Sequence, residues 1–438
     1  MTTQTTLVAF VGSLVLGACA YAQTSQPAGL ASKYVDPVSG LSLPEAIGRA
    51  LEHEPDLRAA RTEVDAARGM RLQAGLRPNP TISFSQQEEP SGPDRQTRVE
   101  ASLPLDLFRR AGRTAVADRE IDAERFAVAD RERLAAADVR VKYGDVAAAV
   151  REIAVLDDLF AAASKQHALV AARVEQGSTP PFERDVLRVD LQRLESERML
   201  QYGSAERALI ELKRTLGVPP DAPLKIREDL EQLVLQEATG AFAADDAPDE
   251  ARPDVEAARA RVQVADAQIE RARREGRVDV NLFGMYMRMN SGFPLRAFGN
   301  GGLEPIRGVF HNVAGGAAIT IPLRDRNQGN VAAARALRAG ASARLEAALL
   351  TAHAELAAAR VRDDQARRSV AVYTSDTMAL ARRNLAVVGQ TYELGRATVF
   401  DLLAEQRRYL DVERAFTSAL RETYEARQAL RRALGDVR

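Results

Sequence analysis

Three of the chain's seven methionines fall within five residues, as Met285, Met287 and Met289. A spacing of two puts them on one face of a strand, and thioethers suit Cu(I). Phe283 continues the stripe. The run therefore also reads as the lipid-facing side of a barrel strand, and this is the preferred reading. The single cysteine, Cys19, ends Leu16-Gly17-Ala18-Cys19, the spacing of a bacterial lipobox in which the thiol is acylated after cleavage. Ala20-Tyr21-Ala22 offers ordinary cleavage after Ala22 instead. One cysteine allows no intrachain disulfide framework. Thr398 with Asp401 three residues later has the form of a capping box. His53, His167, His311 and His353 show no metal spacing. No phosphate loop, nucleophile triad or catalytic carboxylate pair is visible, so neither an enzyme nor a cofactor is expected.

These residues sit on recognisable elements. Residues 1–22 read as an export signal: Leu7 to Ala18 is uncharged and apolar, too short to span a membrane, although no Lys or Arg precedes Lys33. Residues 23–42 read as a linker. A helix starts at Leu43-Pro44-Glu45 with Ser42 as N-cap and runs to about Leu76, before Arg77-Pro78-Asn79-Pro80. Two strands follow around the turn Pro90-Ser91-Gly92-Pro93-Asp94. Ile82 and Phe84 share one face, and Val99, Ala101, Leu103 and Leu105 alternate with polar residues. Strands of about ten residues have the length a tilted strand needs to cross a bilayer. No proline occurs from Leu105 to Thr179 or from Leu323 onward. The helices there, from about Thr114 to Glu175 and Val331 to Leu394, each span roughly 90 Å. They end at Gly177 and Gly395. Thr179 before Pro180, and Thr398, start the returning helices.

The chain is also written twice. Pro55-Asp56-Leu57 recurs as Pro253-Asp254-Val255, a shift of 198; Gly177 and Phe182 recur as Gly395 and Phe400, a shift of 218. The 20 extra residues fall between Asn281 and Pro322, as one enlarged loop of the second copy. A domain-sized duplication follows: repeats at 43–217 and 253–438, joined by a linker at 218–252 with a short helix near Ile226–Gln236. The net charge of −1 leaves no footprint for nucleic acid. Aromatics are only 5%, so large apolar cores are not expected, while 14 of the 31 residues from Val331 to Val361 are alanine, which lets helices approach closely.

Four strands with one apolar face cannot stand open in a bilayer, because their edges would be unpaired. Copies of the chain must associate, closing the strands into one barrel and the long helices into another. A plain coiled-coil scaffold explains the helices but not the hairpins between them. Leu43-Pro44-Glu45-Ala46, Pro104-Leu105, Ile321-Pro322-Leu323 and Tyr392-Glu393-Leu394-Gly395 followed by Asp401-Leu402-Leu403, in this order and duplicated, resemble TolC-type outer membrane factors. The resemblance implies a mainly α fold with a small β part, assembled as a homotrimer: a barrel in outer-membrane lipid continued by a helical tunnel across the periplasm. It implies a passive exit duct for metal cations or drugs, fed through a periplasmic adaptor by an inner-membrane pump of the resistance-nodulation-division or similar type. A duct for type I protein secretion uses the same fold. Pro322 to Gly329 resembles the CzcC-like heavy-metal branch.

The resemblance also places a pore constriction and a docking tip at the turns around Gly177 and Gly395, with Thr398 beside them. Asp401 matches a carboxylate ring and Tyr392 a tyrosine that helps hold the closed state. Glu183 stands where the first copy often has Asp, and Ala404 replaces a second ring acid. The helix-cap reading of Asp401 remains beside the ring reading.

Overall fold

The computed structural model describes residues 30–90, 92, 94–239, 252–299 and 301–436. The leader 1–22, with its alternatives at Cys19 and Ala22, lies outside them. The fold is mainly helical with one four-stranded antiparallel sheet. Helix α1 (Leu43–His53) leads into the first repeat: α2 (Pro55–Gly75), β1 (Thr81–Glu88), β2 (Arg95–Pro104), α3 (Arg109–Glu175) and α4 (Pro181–Thr215). After α5 (Leu230–Thr239) the second repeat gives α6 (Pro253–Glu275), β3 (Asp279–Gly299), β4 (Gly302–Thr320), α7 (Gln328–Val372), α8 (Met378–Glu393) and α9 (Val399–Leu434). No helix among the described residues is long and apolar enough to cross a membrane.

Ser42 caps α1 as expected, with its N–H donated to the Glu45 carboxylate at 2.9 Å. The single helix expected to reach Leu76 is instead two. Glu54 leaves helical geometry (ψ 127°), because the ring of Pro55 disfavours the α region in the residue before it. Thr179 is not a cap either. Pro180 takes that position and Pro181 opens α4, where a missing N–H costs nothing. The second long helix carries a one-turn π segment, Tyr373–Thr377, between α7 and α8.

The sheet runs in sequence order, β1-β2-β3-β4. Its register aligns Phe84, Val99, Tyr286 and Val313 in one row across all four strands. Ile82, Leu103, Leu282 and Ile319 lie on the same face. Ile82, Phe84 and Val313 are 78%, 67% and 84% exposed, an apolar band that nothing among the described residues covers. The methionines are on the other face, which corrects the lipid-facing reading. Met285 pairs with Glu100, Met287 with Arg98 and Asn312, and Met289 with Gln96. Alternation shows which residues share a face; only the partner strands show which face is apolar. The extra residues of the second copy are not a loop but an extension of the hairpin. β3 has 21 residues and β4 has 19, against 8 and 10 in the first copy.

The two expected linkers are partly core. Tyr34 is fully buried, and Val35 and Leu41 both bridge to Ile226. Ile226 is thus strand-like, and the helix there begins later, at Leu230. The Tyr143 hydroxyl joins these segments: it lies 2.9 Å from the Leu41 carbonyl, contacts the Glu228 carboxylate and accepts the Arg227 N–H at 3.0 Å. Around it forms a core larger than composition implied, built from alanines (Ala46, Ala50, Ala136, Ala147) and three tyrosines, Tyr34, Tyr143 and Tyr424. Small residues let α1, α3 and α9 approach closely enough for the tyrosines to fill the remaining space. At Gly144 the Tyr424 ring packs directly on the backbone: a Cβ there would sit 2.5 Å from Cε1. Tyr424 is fully buried, and its hydroxyl donates to the Arg140 carbonyl at 3.1 Å. Gly144→Ala is therefore expected to destabilise the fold by about 1–3 kcal/mol. Loss of helical circular dichroism at lower temperature checks this; an unchanged melting profile contradicts it.

Candidate pore constriction and docking tip

The far end of the long helices is shaped by two equivalent glycines. Gly177 and Gly395 both have φ +71°, a left-handed conformation that side chains with a Cβ disfavour. Each closes a helix with the same pair of bonds. Gly177 and Ser178 donate to the carbonyls of Val174 and Arg173 at 3.0 Å; Gly395 and Arg396 donate to those of Tyr392 and Thr391 at 2.9 Å. These bonds satisfy the last carbonyls and reverse the chain within a few residues. Gly217 and Gly435 end the return helices in the same way, also with positive φ.

Behind the second turn, Thr398 opens α9. It accepts the Asp401 N–H at 3.2 Å, and the Asp401 carboxylate accepts the Thr398 N–H at 2.9 Å and hydroxyl at 2.7 Å. The capping box is complete. Those bonds from Thr398 hold the Asp401 carboxyl below its usual range, so it carries its charge while exposed on the tip.

Tyr392 and Glu183 come from different repeats and meet here. The Tyr392 hydroxyl donates to Glu183 Oε2 at 3.0 Å. Tyr392 is buried with Val170, Leu187, Val399, Leu402 and Leu403 in a small core that ties all four helix ends together. Burial first, and the bond to Glu183 second, push its phenol up to about 12. Asp401 is not part of this contact; it bonds within its own turn. The structure thus brings Tyr392 to Glu183 and Thr398 to Asp401, as two separate clusters.

Two features escaped the sequence. Phe182 and Phe400, equivalent in the two repeats, face each other with ring centroids 6.2 Å apart. They open a groove of about 550 Å³ between α4 and α9, continued by Val186, Val189, Ala404 and Arg407. The repeat register pairs Phe182 with Phe400 in sequence, and that was the available signal. Further along α9, buried Glu413 receives Tyr409 at 2.8 Å, Arg151 at 3.0 Å and Arg382 at 3.4 Å. Nothing local marks Glu413 as an ion-pair site, since Arg151 and Arg382 reach it from two other helices, α3 and α8. At the sheet end, the run Pro322 to Gly329 is a structural joint. Asn327, at φ 59°, donates its side chain to the Ala272 carbonyl at 2.7 Å, and Asp325 accepts its N–H at 2.9 Å.

Tyr392→Phe leaves Glu183 unpaired and is expected to cost about 1–3 kcal/mol. The sign with pH follows from the raised value. A group that holds its proton longer when folded stabilises fully below its unfolded value of 10.0 and loses that contribution as pH rises through about 12. The difference in tyrosinate absorbance between parent and Tyr392→Phe should titrate near about 12; titration near 10.0 contradicts the buried bond.

Comparison with known proteins accords with this architecture. No curated protein matches the chain significantly. Solved structures do share its fold. CusC, described for conformational changes accompanying folding and transmembrane channel formation, is 19% identical with TM-score 0.72, over 94% of this chain and 96% of its own. A membrane protein from Pseudomonas aeruginosa is 21% identical with TM-score 0.72, over 92% and 94%. The open-state MtrE outer membrane channel of Neisseria gonorrhoeae is 20% identical with TM-score 0.68, over 93% and 91%. The family model for outer membrane efflux proteins matches residues 46–218 and 249–436, almost all of both repeats. The chain is therefore an outer-membrane efflux channel reaching into the periplasm, not an enzyme, and it belongs to the outer membrane efflux protein family.

Proposed function

We propose that three copies form the exit duct of a tripartite efflux system, receiving substrate from an inner-membrane pump of the resistance-nodulation-division or similar type through a periplasmic adaptor. The observation that carries this is the open four-stranded sheet with an exposed apolar face. Two copies would give eight strands, a barrel whose interior side chains fill. Three give twelve, enough for a lumen. The helical tip is then the periplasmic end. Phe182, Val189 and Phe400, exposed around the groove, suit an apolar partner and support adaptor docking beside Gly177, Gly395 and Thr398. Tyr392 bonded to Glu183 is a contact that holds the tip closed. Asp401, charged and exposed, serves as both helix cap and, repeated three times about the axis, a carboxylate ring. Metal cations are the favoured cargo, from the resemblance of Pro322 to Gly329 to the CzcC-like branch.

In cells, loss of the duct should sensitise the strain to the pump's metal or drug substrate; unchanged tolerance to both contradicts an efflux role. At the tip, Asp401→Asn should weaken the block that multivalent cations impose on single-channel current in planar bilayers. Identical block in parent and variant removes Asp401 from the pore.

A further inference from the structure

We propose that Met285, Met287 and Met289 form a thioether ladder on the water-facing side of the barrel, and that it takes up a soft monovalent cation, Cu(I) or Ag(I), in transit. The proposal rests on the duct reading and adds a binding site and its ligand class.

The placement comes from the register. The three methionines share their face with Ser83, Ser85, Glu100, Arg98, Gln96 and Asn312, and with two aromatic rings, Phe283 and Phe310. At the middle of β3 that face is also the more shielded one, although Phe283 and Phe310 at its flanks are each 36% exposed. Met285, Met287 and Met289 are half-buried within a single chain, while Leu282 and Tyr286, between and beside them on the other face, are each 42% exposed. A sheet curving into a barrel shields its inner side and exposes its outer side. The outer side already has its apolar band in Phe84, Val99, Tyr286 and Val313, so lipid contact does not account for the methionines. Three of the seven methionines in the chain stand on a face that is otherwise mostly polar.

The chemistry of the row selects for softness rather than charge. Successive thioethers on one strand face are about 6.4–6.8 Å apart at their Cβ atoms. Methionine's three rotatable bonds allow neighbouring sulfurs to converge on one ion. Thioether sulfur suits Cu(I), whereas carboxylate and water suit hard divalent ions. Glu100 opposite Met285 and Arg98 opposite Met287 offset each other in charge, so hard cations gain little there. Gln96 neighbours the Met287 sulfur on the adjacent strand. Binding along a conduction path must be weak enough to release, and a row of similar sites passes an ion from one to the next.

The test uses detergent-purified full-length protein in planar bilayers with chloride-free nitrate salts. Ag(I) is the probe and Zn(II) the hard-ion control. The variant replaces Met285, Met287 and Met289 together by Leu, which keeps volume and apolar character. Ag(I) is expected to reduce the parent's single-channel current reversibly, Zn(II) to have no effect that depends on the methionines, and the triple variant to conduct normally but lose its Ag(I) response. Met199→Leu, on an exposed helix face, should leave that response intact. A conducting parent indifferent to Ag(I), or a triple variant with the parent's response, overturns the proposal. Should neither protein conduct, the duct reading fails separately, and Ag(I) calorimetry on the same samples decides the ladder. Uptake by the parent alone upholds it; equal uptake, or none, overturns it.

Discussion

The edges of the sheet govern the rest of the molecule. In hydrocarbon, each unpaired backbone N–H or C=O costs several kcal/mol, so a spanning sheet must close on itself. Here β1 and β4 are the edges of a four-stranded sheet, and nothing from their own chain pairs their outer sides among the described residues. The row through Phe84, Val99, Tyr286 and Val313 is exposed, and no other part of the described chain covers it. One chain therefore cannot be the functional unit. The strands need other copies, and the helices joined to those strands must follow into the same assembly.

The helices convert that constraint into a duct. α3 has 67 residues, about 100 Å at 1.5 Å per residue, so one unbroken element links the sheet to the tip. Gly144 against Tyr424 shows how its middle is held: a missing side chain on one helix admits an aromatic ring from another. Tyr143 and Glu228 fasten the N-terminal segment and the inter-repeat segment to the same level. At the tip, Gly177 and Gly395 turn the helices around. The contact between Tyr392 and Glu183 joins one repeat to the other at that tip. Duplication gives each end two equivalent parts, and the copies differ at both ends: in the longer hairpin of β3 and β4, and in the cap of α9 that Pro180 and Pro181 replace in α4.

What could be read in the sequence were local or repeated signals. Gly177 and Gly395 announce turns because left-handed backbone favours glycine. Thr398 and Asp401 announce a cap through their spacing. The duplicated register announced the architecture. What could not be read depended on distant partners. Met285, Met287 and Met289 alternate correctly for either face of a barrel strand, and only Glu100, Arg98 and Asn312 on neighbouring strands assign them to the polar one. Ile226 looked like the start of a helix until Val35 and Leu41 paired with it. Glu413 carries no local mark, since Arg151 and Arg382 reach it from other helices. Tyr392 and Glu183 were each singled out, yet their bond across 209 residues appears only in the fold.

The central claim is that copies of this chain close into one conducting barrel. The most direct measurement is single-channel conductance of the detergent-purified protein in a planar bilayer, with chemical cross-linking of the same sample to count subunits. Closure by three copies predicts a cross-linked trimer and discrete conductance steps. A monomer that inserts no channels would contradict it and leave a long helical scaffold whose apolar sheet face serves some other contact.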